Sequence, residues 1–139
     1  MTDSEWAMLE VYIRDTADTL GLRDWEFTLG REHPSDDGIG AMVIPVEGRK
    51  FAKIQVCADF RECASEKQRG YIVHELIHCH FAPATDMLRV ELPNSGCILQ
   101  SVYDILWGTF KRLMEYGVDG LESAISNNYP LIDWGDADG

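Results

Sequence analysis

The chain has 139 residues, of which 45% are hydrophobic and 26% are charged, and this composition is typical of a folded globular protein and too apolar for a disordered one. The length suits a single domain that spans residues 1–139. Twelve basic residues stand against 24 acidic ones, which gives a net charge of −12, and this balance argues against direct binding to a nucleic-acid backbone. The sequence has no secretory-signal pattern and no apolar run of about 18 residues, so we expect a cytoplasmic protein that does not enter a membrane.

The first predicted element is an amphipathic helix. Ser4 can cap its start and Gly21 can end it. Between these two residues, apolar side chains recur at three- and four-residue steps: Trp6, Leu9, Ile13, Ala17 and Leu20. We expect a structural role for this helix.

Three short strands are predicted next. Residues 24–30 alternate between apolar and polar side chains, and residues 31–39 form a polar loop. Two β-rich runs follow at residues 41–46 and 51–58, and the four residues that join them indicate a hairpin. The sequence therefore predicts a small three-stranded sheet.

The rest of the chain is predicted to be mainly helical. One helix begins at Ser65 and is expected to end at Pro83. After a looser segment around Pro93 and Gly96, a long helix is predicted from apolar residues that recur with helical period: Leu99, Val102, Leu106, Phe110, Leu113 and Leu121. A bend near Gly117 or Gly120 is possible. Together with the first helix and the strands, these elements predict an α+β fold.

The segment His74-Glu75-Leu76-Ile77-His78 carries the chemistry. Residues four apart on a helix point the same way, so both imidazoles can bind one Zn²⁺ ion. Glu75 would lie beside the open position of the metal and would take a proton from metal-bound water. This is the HExxH mechanism of zincins, and it predicts a metallopeptidase that hydrolyses peptide bonds.

A catalytic zinc usually has three protein ligands, so one further donor is needed. The candidates are His80, Asp86, Glu91, Asp104 and Glu115. His80 is expected to face away from the two motif histidines. Asp104 and Glu115 are three helical turns apart and share one stripe of the long helix, so helical phase does not choose between them.

A resemblance narrows the choice. Residues 73–81 (Val-His-Glu-Leu-Ile-His-Cys-His-Phe), residues 115–121 (Glu-Tyr-Gly-Val-Asp-Gly-Leu) and residues 130–134 (Pro-Leu-Ile-Asp-Trp) resemble small phage-encoded HExxH zinc metallopeptidases. The resemblance implies a minimal zincin-like domain of gluzincin type, located in the host cytoplasm if the protein is phage-encoded. It also implies that Glu115 is the third ligand and that Asp119 orients a ligand histidine. Asp104 stays an alternative ligand, because residues 104–108 resemble the motif of aspartate-ligand zincins.

Roles are also predicted for one strand, for three possible oxyanion donors and for the cysteines. By the same resemblance, a protein or peptide substrate would pair with an edge strand before the metal helix, here residues 51–58. Donors that could stabilise an oxyanion are Tyr116, Tyr103 and His33. The four cysteines are expected to be reduced, small buried side chains: Cys57, Cys63, Cys79 and Cys97.

A second hypothesis comes from the charge. An acidic phage-type protein could keep a zincin scaffold without peptidase activity and act by binding, using its acidic surface to dock on a host factor or a nucleic-acid-binding protein. The sequence does not determine the substrate or the oligomeric state.

Overall fold

A computed structural model describes residues 1–135 and shows an α+β fold. The first helix, α1, spans Asp3–Thr19. Thr2 caps it: the Thr2 hydroxyl accepts a hydrogen bond from the Glu5 N–H, and the Glu5 carboxylate accepts one from the Thr2 N–H. The predicted cap, Ser4, lies inside the helix instead, because the reciprocal bonds of Thr2 and Glu5 satisfy the free N–H groups one turn earlier. Gly21 follows the helix with a φ of 82° and ends it as predicted.

The sheet contains the three predicted strands, β1 at Glu26–Leu29, β2 at Ala41–Pro45 and β3 at Phe51–Val56. β2 and β3 form the predicted antiparallel hairpin, whereas β1 pairs with β3 in parallel, so the order is β1-β3-β2. The prediction that residues 51–58 form an edge strand was wrong. Both edges of β3 are already hydrogen-bonded, and β2 is the edge strand next to the helix that carries the histidine motif.

The main core lies between the sheet and the first two long helices. The central strand β3 contributes Ala52, Ile54 and Val56, and each of them is fully buried. Buried side chains of both helices pack on this strand: Leu9, Ile13, Ile72 and Leu76. Because these three residues alternate along β3, they lie on one face of the sheet, and both helices pack on that face.

The motif helix, α2, spans Ser65–His80. It ends three residues before Pro83, which lies in the first turn of the short helix α3, Ala82–Asp86. Proline is tolerated there because the first turn of a helix does not need its N–H. The looser segment that was predicted around Pro93 is helical: a π-helical turn, Met87–Glu91, leads into a single helical turn, α4, Leu92–Asn94.

The long helix, α5, spans Gln100–Ile125 and passes through Gly117 and Gly120 without interruption. Its predicted apolar stripe is not a core stripe along its whole length. None of the stripe residues is buried, and Leu99, Leu113 and Leu121 are 74%, 60% and 46% exposed. The one buried residue of α5, Val118, lies outside the predicted stripe. The C-terminal half of α5 therefore packs on α2, and the N-terminal half is largely exposed.

The last described residues return to the core. The Tyr12 hydroxyl donates a hydrogen bond to the Pro130 carbonyl at 2.8 Å, and Ile132 is buried. The Trp134 indole N–H donates to the Gln68 side-chain oxygen at 3.0 Å.

Within residues 1–135, the helices include none that is both long and apolar enough to cross a membrane.

Candidate metal centre and cleft

The packing of α2 against α5 positions the candidate centre. Val73 and Ile77, one turn apart on α2, pack with Val118 and Met114, one turn apart on α5. Each of these apolar residues is followed in the sequence by a polar one. The neighbouring stripe of α2 therefore carries His74 and His78, and the neighbouring stripe of α5 carries Glu115 and Asp119. The small apolar cluster thus brings the two polar stripes face to face.

Three side chains on these stripes converge. The Nε2 atoms of His74 and His78 are 3.2 Å apart. The two carboxylate oxygens of Glu115 lie 3.5 Å from the His74 Nε2 and 3.3 Å from the His78 Nε2. The donor atoms of His74, His78 and Glu115 therefore form a compact triangle in which each imidazole nitrogen faces a different Glu115 oxygen, and this group could hold a metal ion.

The distances between these donor atoms can be compared with the distances between ligands in a tetrahedral zinc site. Zinc binds imidazole nitrogen and carboxylate oxygen at about 2.1 Å, so tetrahedral ligands stand about 3.4 Å from one another. The separations of 3.2 to 3.5 Å are close to this value, with one Glu115 oxygen near each imidazole nitrogen. Nitrogen and carboxylate ligands suit zinc and several other first-row divalent ions, so the geometry fits a divalent cation without selecting zinc.

The second predicted acidic residue of α5 lies behind the triangle. The Asp119 carboxylate is 3.4 Å from the Nδ1 of His74, on the ring nitrogen that faces away from Glu115. A carboxylate in this place favours the tautomer that carries the proton on Nδ1 and leaves Nε2 free to bind a metal. Asp119 is 66% exposed, so solvent weakens this electrostatic contact.

The other ligand candidates lie elsewhere. Asp104 is exposed and accepts a hydrogen bond from the Gln100 side chain at 2.8 Å. The His80 ring contacts the Leu20 carbonyl at 3.0 Å, on the opposite side of α2 as predicted. Asp86 and Glu91 line a separate cleft with His80. Glu115 is thus the one candidate carboxylate that the structure places beside both motif histidines.

Glu75 lies next to the triangle and is oriented by the sheet. Its carboxylate accepts a hydrogen bond from the Val43 N–H of β2 at 2.8 Å. Burial raises the pKa of Glu75 to about 8; the Val43 N–H opposes this shift and the negative charge of Glu115 adds to it. A carboxyl group with a pKa near neutrality can both accept and return a proton, which is the property that general acid–base catalysis requires. A cation bound in the triangle would lower this pKa, because a nearby positive charge favours the carboxylate.

The imidazole of His78 has the protonation state that metal binding needs. Burial lowers its pKa below the ordinary histidine value, and the charge of Glu115 opposes this effect. The neutral ring is therefore favoured, and neutral imidazole is the form that binds a metal.

Two adjoining clefts open over the triangle, with volumes of about 410 and 390 Å³. Both are lined by His74, Glu75 and Ala41 of the edge strand β2. The N–H of Val46, just after β2, points inward and donates to the Phe51 carbonyl of β3, whereas the N–H of Val43 points outward to Glu75. Strand residues alternate, so Ala41 and Val43 direct their backbone groups into the cleft, while Pro45 at the next outward position has no N–H to offer.

One cleft residue was missed by the sequence reasoning. Tyr71 lines the larger cleft beside His74, and its ring lies so close to Gly40 that a side chain at that position would collide with it. The sequence places Tyr71 three residues before His74, on the same helical face, and this spacing was the available signal. By contrast, the predicted donors Tyr116, Tyr103 and His33 are not among the residues that line either cleft.

The cysteines differ from their predicted environment. Cys79 is buried, but Cys57 and Cys63 are half-buried and Cys97 is exposed. Cys57 packs at the edge of the main core, whereas Cys97 is far from the predicted buried environment. Cys57 and Cys63 lie close together, on the loop between β3 and α2.

Comparisons of this chain with protein-family models, with curated proteins and with solved structures give no match. What can be concluded about the site therefore comes from the geometry of its own residues: two histidines and a carboxylate that could hold a divalent cation, with a buried glutamate at their side.

Proposed function

We propose that this protein is a zinc-dependent peptidase of the zincin type, with a gluzincin-like ligand set of His74, His78 and Glu115. The observation that carries the proposal is the match between the donor separations of 3.2 to 3.5 Å and the edge of a zinc tetrahedron, with Glu75 in the same cleft. The resemblance to small phage-encoded metallopeptidases supports the same function.

Three protein ligands leave one coordination position free, which is the arrangement of a catalytic zinc site. When bound in such a site, zinc lowers the pKa of water toward about 7 and polarises the carbonyl of a peptide bond. Glu75 would take the proton from the attacking water and deliver it to the departing amine. Asp119 would hold the His74 ring in the tautomer that binds metal, and the hydroxyl of Tyr71 is our candidate for stabilising the oxyanion.

The position of β2 suggests how a substrate would bind. An extended peptide can add to a free sheet edge by backbone hydrogen bonds, and β2 supplies such an edge in the cleft. Ala41 would pair with the peptide through its N–H and carbonyl, and Val43 through its carbonyl alone, because the Val43 N–H donates to Glu75. Pro45 would limit this pairing to a short segment, because it has no N–H to donate.

The decisive experiment compares wild type with Glu75→Gln, using Glu47→Gln in the exposed hairpin turn as a matched control. Each protein is loaded with zinc and incubated with a peptide library, and new peptide termini are identified by mass spectrometry. We expect wild type and Glu47→Gln to cleave, and we expect chelator to abolish cleavage until zinc is restored. Glu75→Gln should bind as much zinc as wild type but cleave at least a hundredfold more slowly, within the usual contribution of a general base.

A binding function is the second candidate, and one observation favours it. The N-terminal half of α5 exposes large apolar side chains, among them Leu99 and Ile105, on a chain with a net charge of −12. Exposed apolar surface beside charged surface is typical of protein-binding sites. A binding protein would show no cleavage in either form, and its wild type and Glu75→Gln forms would capture a partner equally.

A further inference from the structure

A second group of side chains that could hold a metal ion lies outside the cleft. Cys57, Asp59 and Cys63 each place one donor atom within 4.8 Å of the others. All three lie on the loop between β3 and α2. We propose that this loop is a second metal site, which binds a thiolate-preferring divalent cation such as Zn²⁺ through these three side chains, with water as the fourth ligand.

The loop is held at both ends, so its ligands are positioned before any ion arrives. At its start, the Cys57 N–H donates to the Gly40 carbonyl at 2.9 Å, which ties it to the beginning of β2. At its end, the buried Gln68 side chain donates to the Cys63 carbonyl at 3.0 Å. The same amide donates to the Phe60 carbonyl at 2.8 Å, in the middle of the loop. A pre-positioned loop loses less conformational entropy when it binds.

The donor set differs chemically from that of the cleft. Two sulfur ligands are soft and favour zinc over magnesium or calcium, which prefer oxygen. Zinc–sulfur bonds of about 2.3 Å place tetrahedral sulfur ligands about 3.8 Å apart, so donors within 4.8 Å need to close by about 1 Å at most. The two thiols are half-buried and Asp59 is exposed, so side-chain rotation can provide this movement.

A bound ion would have a structural consequence. It would cross-link Cys57, at the end of β3, to Cys63, just before α2, the helix that carries the His74 motif. Two loop segments that are now joined by hydrogen bonds would be joined by metal bonds as well. The proposal does not depend on peptidase activity, since none of its ligands lines the clefts over the histidines.

The test counts metal ions under reducing conditions. Chelator-treated wild type, the double variant Cys57→Ser/Cys63→Ser and the double variant His74→Ala/His78→Ala are titrated with Zn²⁺ by calorimetry. The cysteine double variant should bind one equivalent of Zn²⁺ fewer than wild type, whether or not the histidine site binds an ion. Cys97→Ser, which changes an exposed cysteine outside the group, should bind as many equivalents as wild type.

Cobalt identifies the ligands directly. Co²⁺-loaded wild type and the histidine double variant should show the near-ultraviolet charge-transfer band of a cobalt–thiolate bond, and the cysteine double variant should lack it. Asp59→Asn keeps both thiols and alters only an exposed side chain, so it should fold normally and bind this ion at least tenfold more weakly. The proposal is overturned if the cysteine double variant is folded and binds as much zinc as wild type, or if no thiolate band forms in the histidine double variant.

Discussion

Removing the Glu115 carboxylate is the most direct test of the candidate metal centre. Both of its oxygens face the histidine pair, at 3.5 and 3.3 Å from the two Nε2 atoms, so Glu115→Ala would leave two protein ligands instead of three. Losing a residue that only supports a ligand weakens metal binding by about 10- to 100-fold. Losing a ligand should cost at least the upper value, so we expect the Kd for zinc to rise about 100-fold or more.

This change has a measurable effect on thermal stability. With free zinc at 100 times the wild-type Kd, binding to the folded state stabilises wild type by about 2.7 kcal/mol. At the same zinc concentration, a variant with a 100-fold higher Kd gains only about 0.4 kcal/mol. The unfolding entropy of a chain of 139 residues is about 0.29 kcal/mol per degree. Both proteins are compared in a Cys57→Ser/Cys63→Ser background, so that the loop site adds no shift. Zinc should therefore raise the Tm by about 9 °C with Glu115 present and by about 1.5 °C in Glu115→Ala.

The assay is differential scanning calorimetry of metal-free and zinc-loaded protein. Asp104→Ala is the matched control, since Asp104 is exposed on the same helix and lies three turns away. It should keep the full zinc-dependent shift. Because Glu115 is half exposed, its removal should change the Tm of the metal-free protein little. If Glu115→Ala keeps the 9 °C shift while Asp104→Ala loses it, the assignment of the third ligand is wrong.

Three further outcomes are expected. Val118→Ala should lower the free energy of unfolding by about 2 kcal/mol, because Val118 is fully buried between the two helices; urea unfolding measures this, and an equal loss in the 44% exposed Val102→Ala would contradict it. At pH 8 iodoacetamide should label Cys97 within minutes and leave Cys79 unmodified, because burial raises the pKa of the Cys79 thiol to about 12 and only the thiolate reacts. Labelling of Cys79 should therefore increase as the pH rises toward that pKa; peptide mapping would refute the reasoning if both sites reacted at one rate at pH 8. Gln68→Leu should destabilise the fold by about 3 kcal/mol in urea unfolding, since it leaves three backbone carbonyls and the indole N–H of the C-terminal segment without their partner.

The elements that the sequence predicted well are those with strong local patterns. Helix α2 begins at Ser65 as predicted, and the hairpin of β2 and β3 has the predicted turn. The shared orientation of His74 and His78 follows from four-residue spacing on one helix. Nothing outside that helix is needed to bring their ring nitrogens together at 3.2 Å.

The order of the strands was not predictable in the same way. Alternation shows that residues 51–58 contain a strand, but it does not show which neighbours pair with that strand. In the structure β3 has a partner on each side, and the free edge beside Glu75 belongs to β2. β3 directly precedes the motif helix in the sequence, but β2 is the strand that faces the cleft.

Periodicity also overestimated the core. The predicted stripe of α5 repeats with helical period from Leu99 to Leu121, yet none of its residues is buried, and the buried Val118 lies outside it. A periodic pattern shows which residues share a face, whereas burial requires another element opposite that face. The structure places α2 opposite the C-terminal half of α5 only.

The sequence by itself determined the helix with its paired imidazoles, the glutamate beside them and the α+β order of elements, because each depends on contacts within a few residues. Only the tertiary structure decided which carboxylate stands next to the histidines, since Asp104 and Glu115 occupy the same stripe of one helix. The packing of Val118 and Met114 on Val73 and Ile77 makes that choice, because it turns the Glu115 end of α5 toward α2. Contacts between residues far apart in the chain arise from such packing, and no local pattern encodes them.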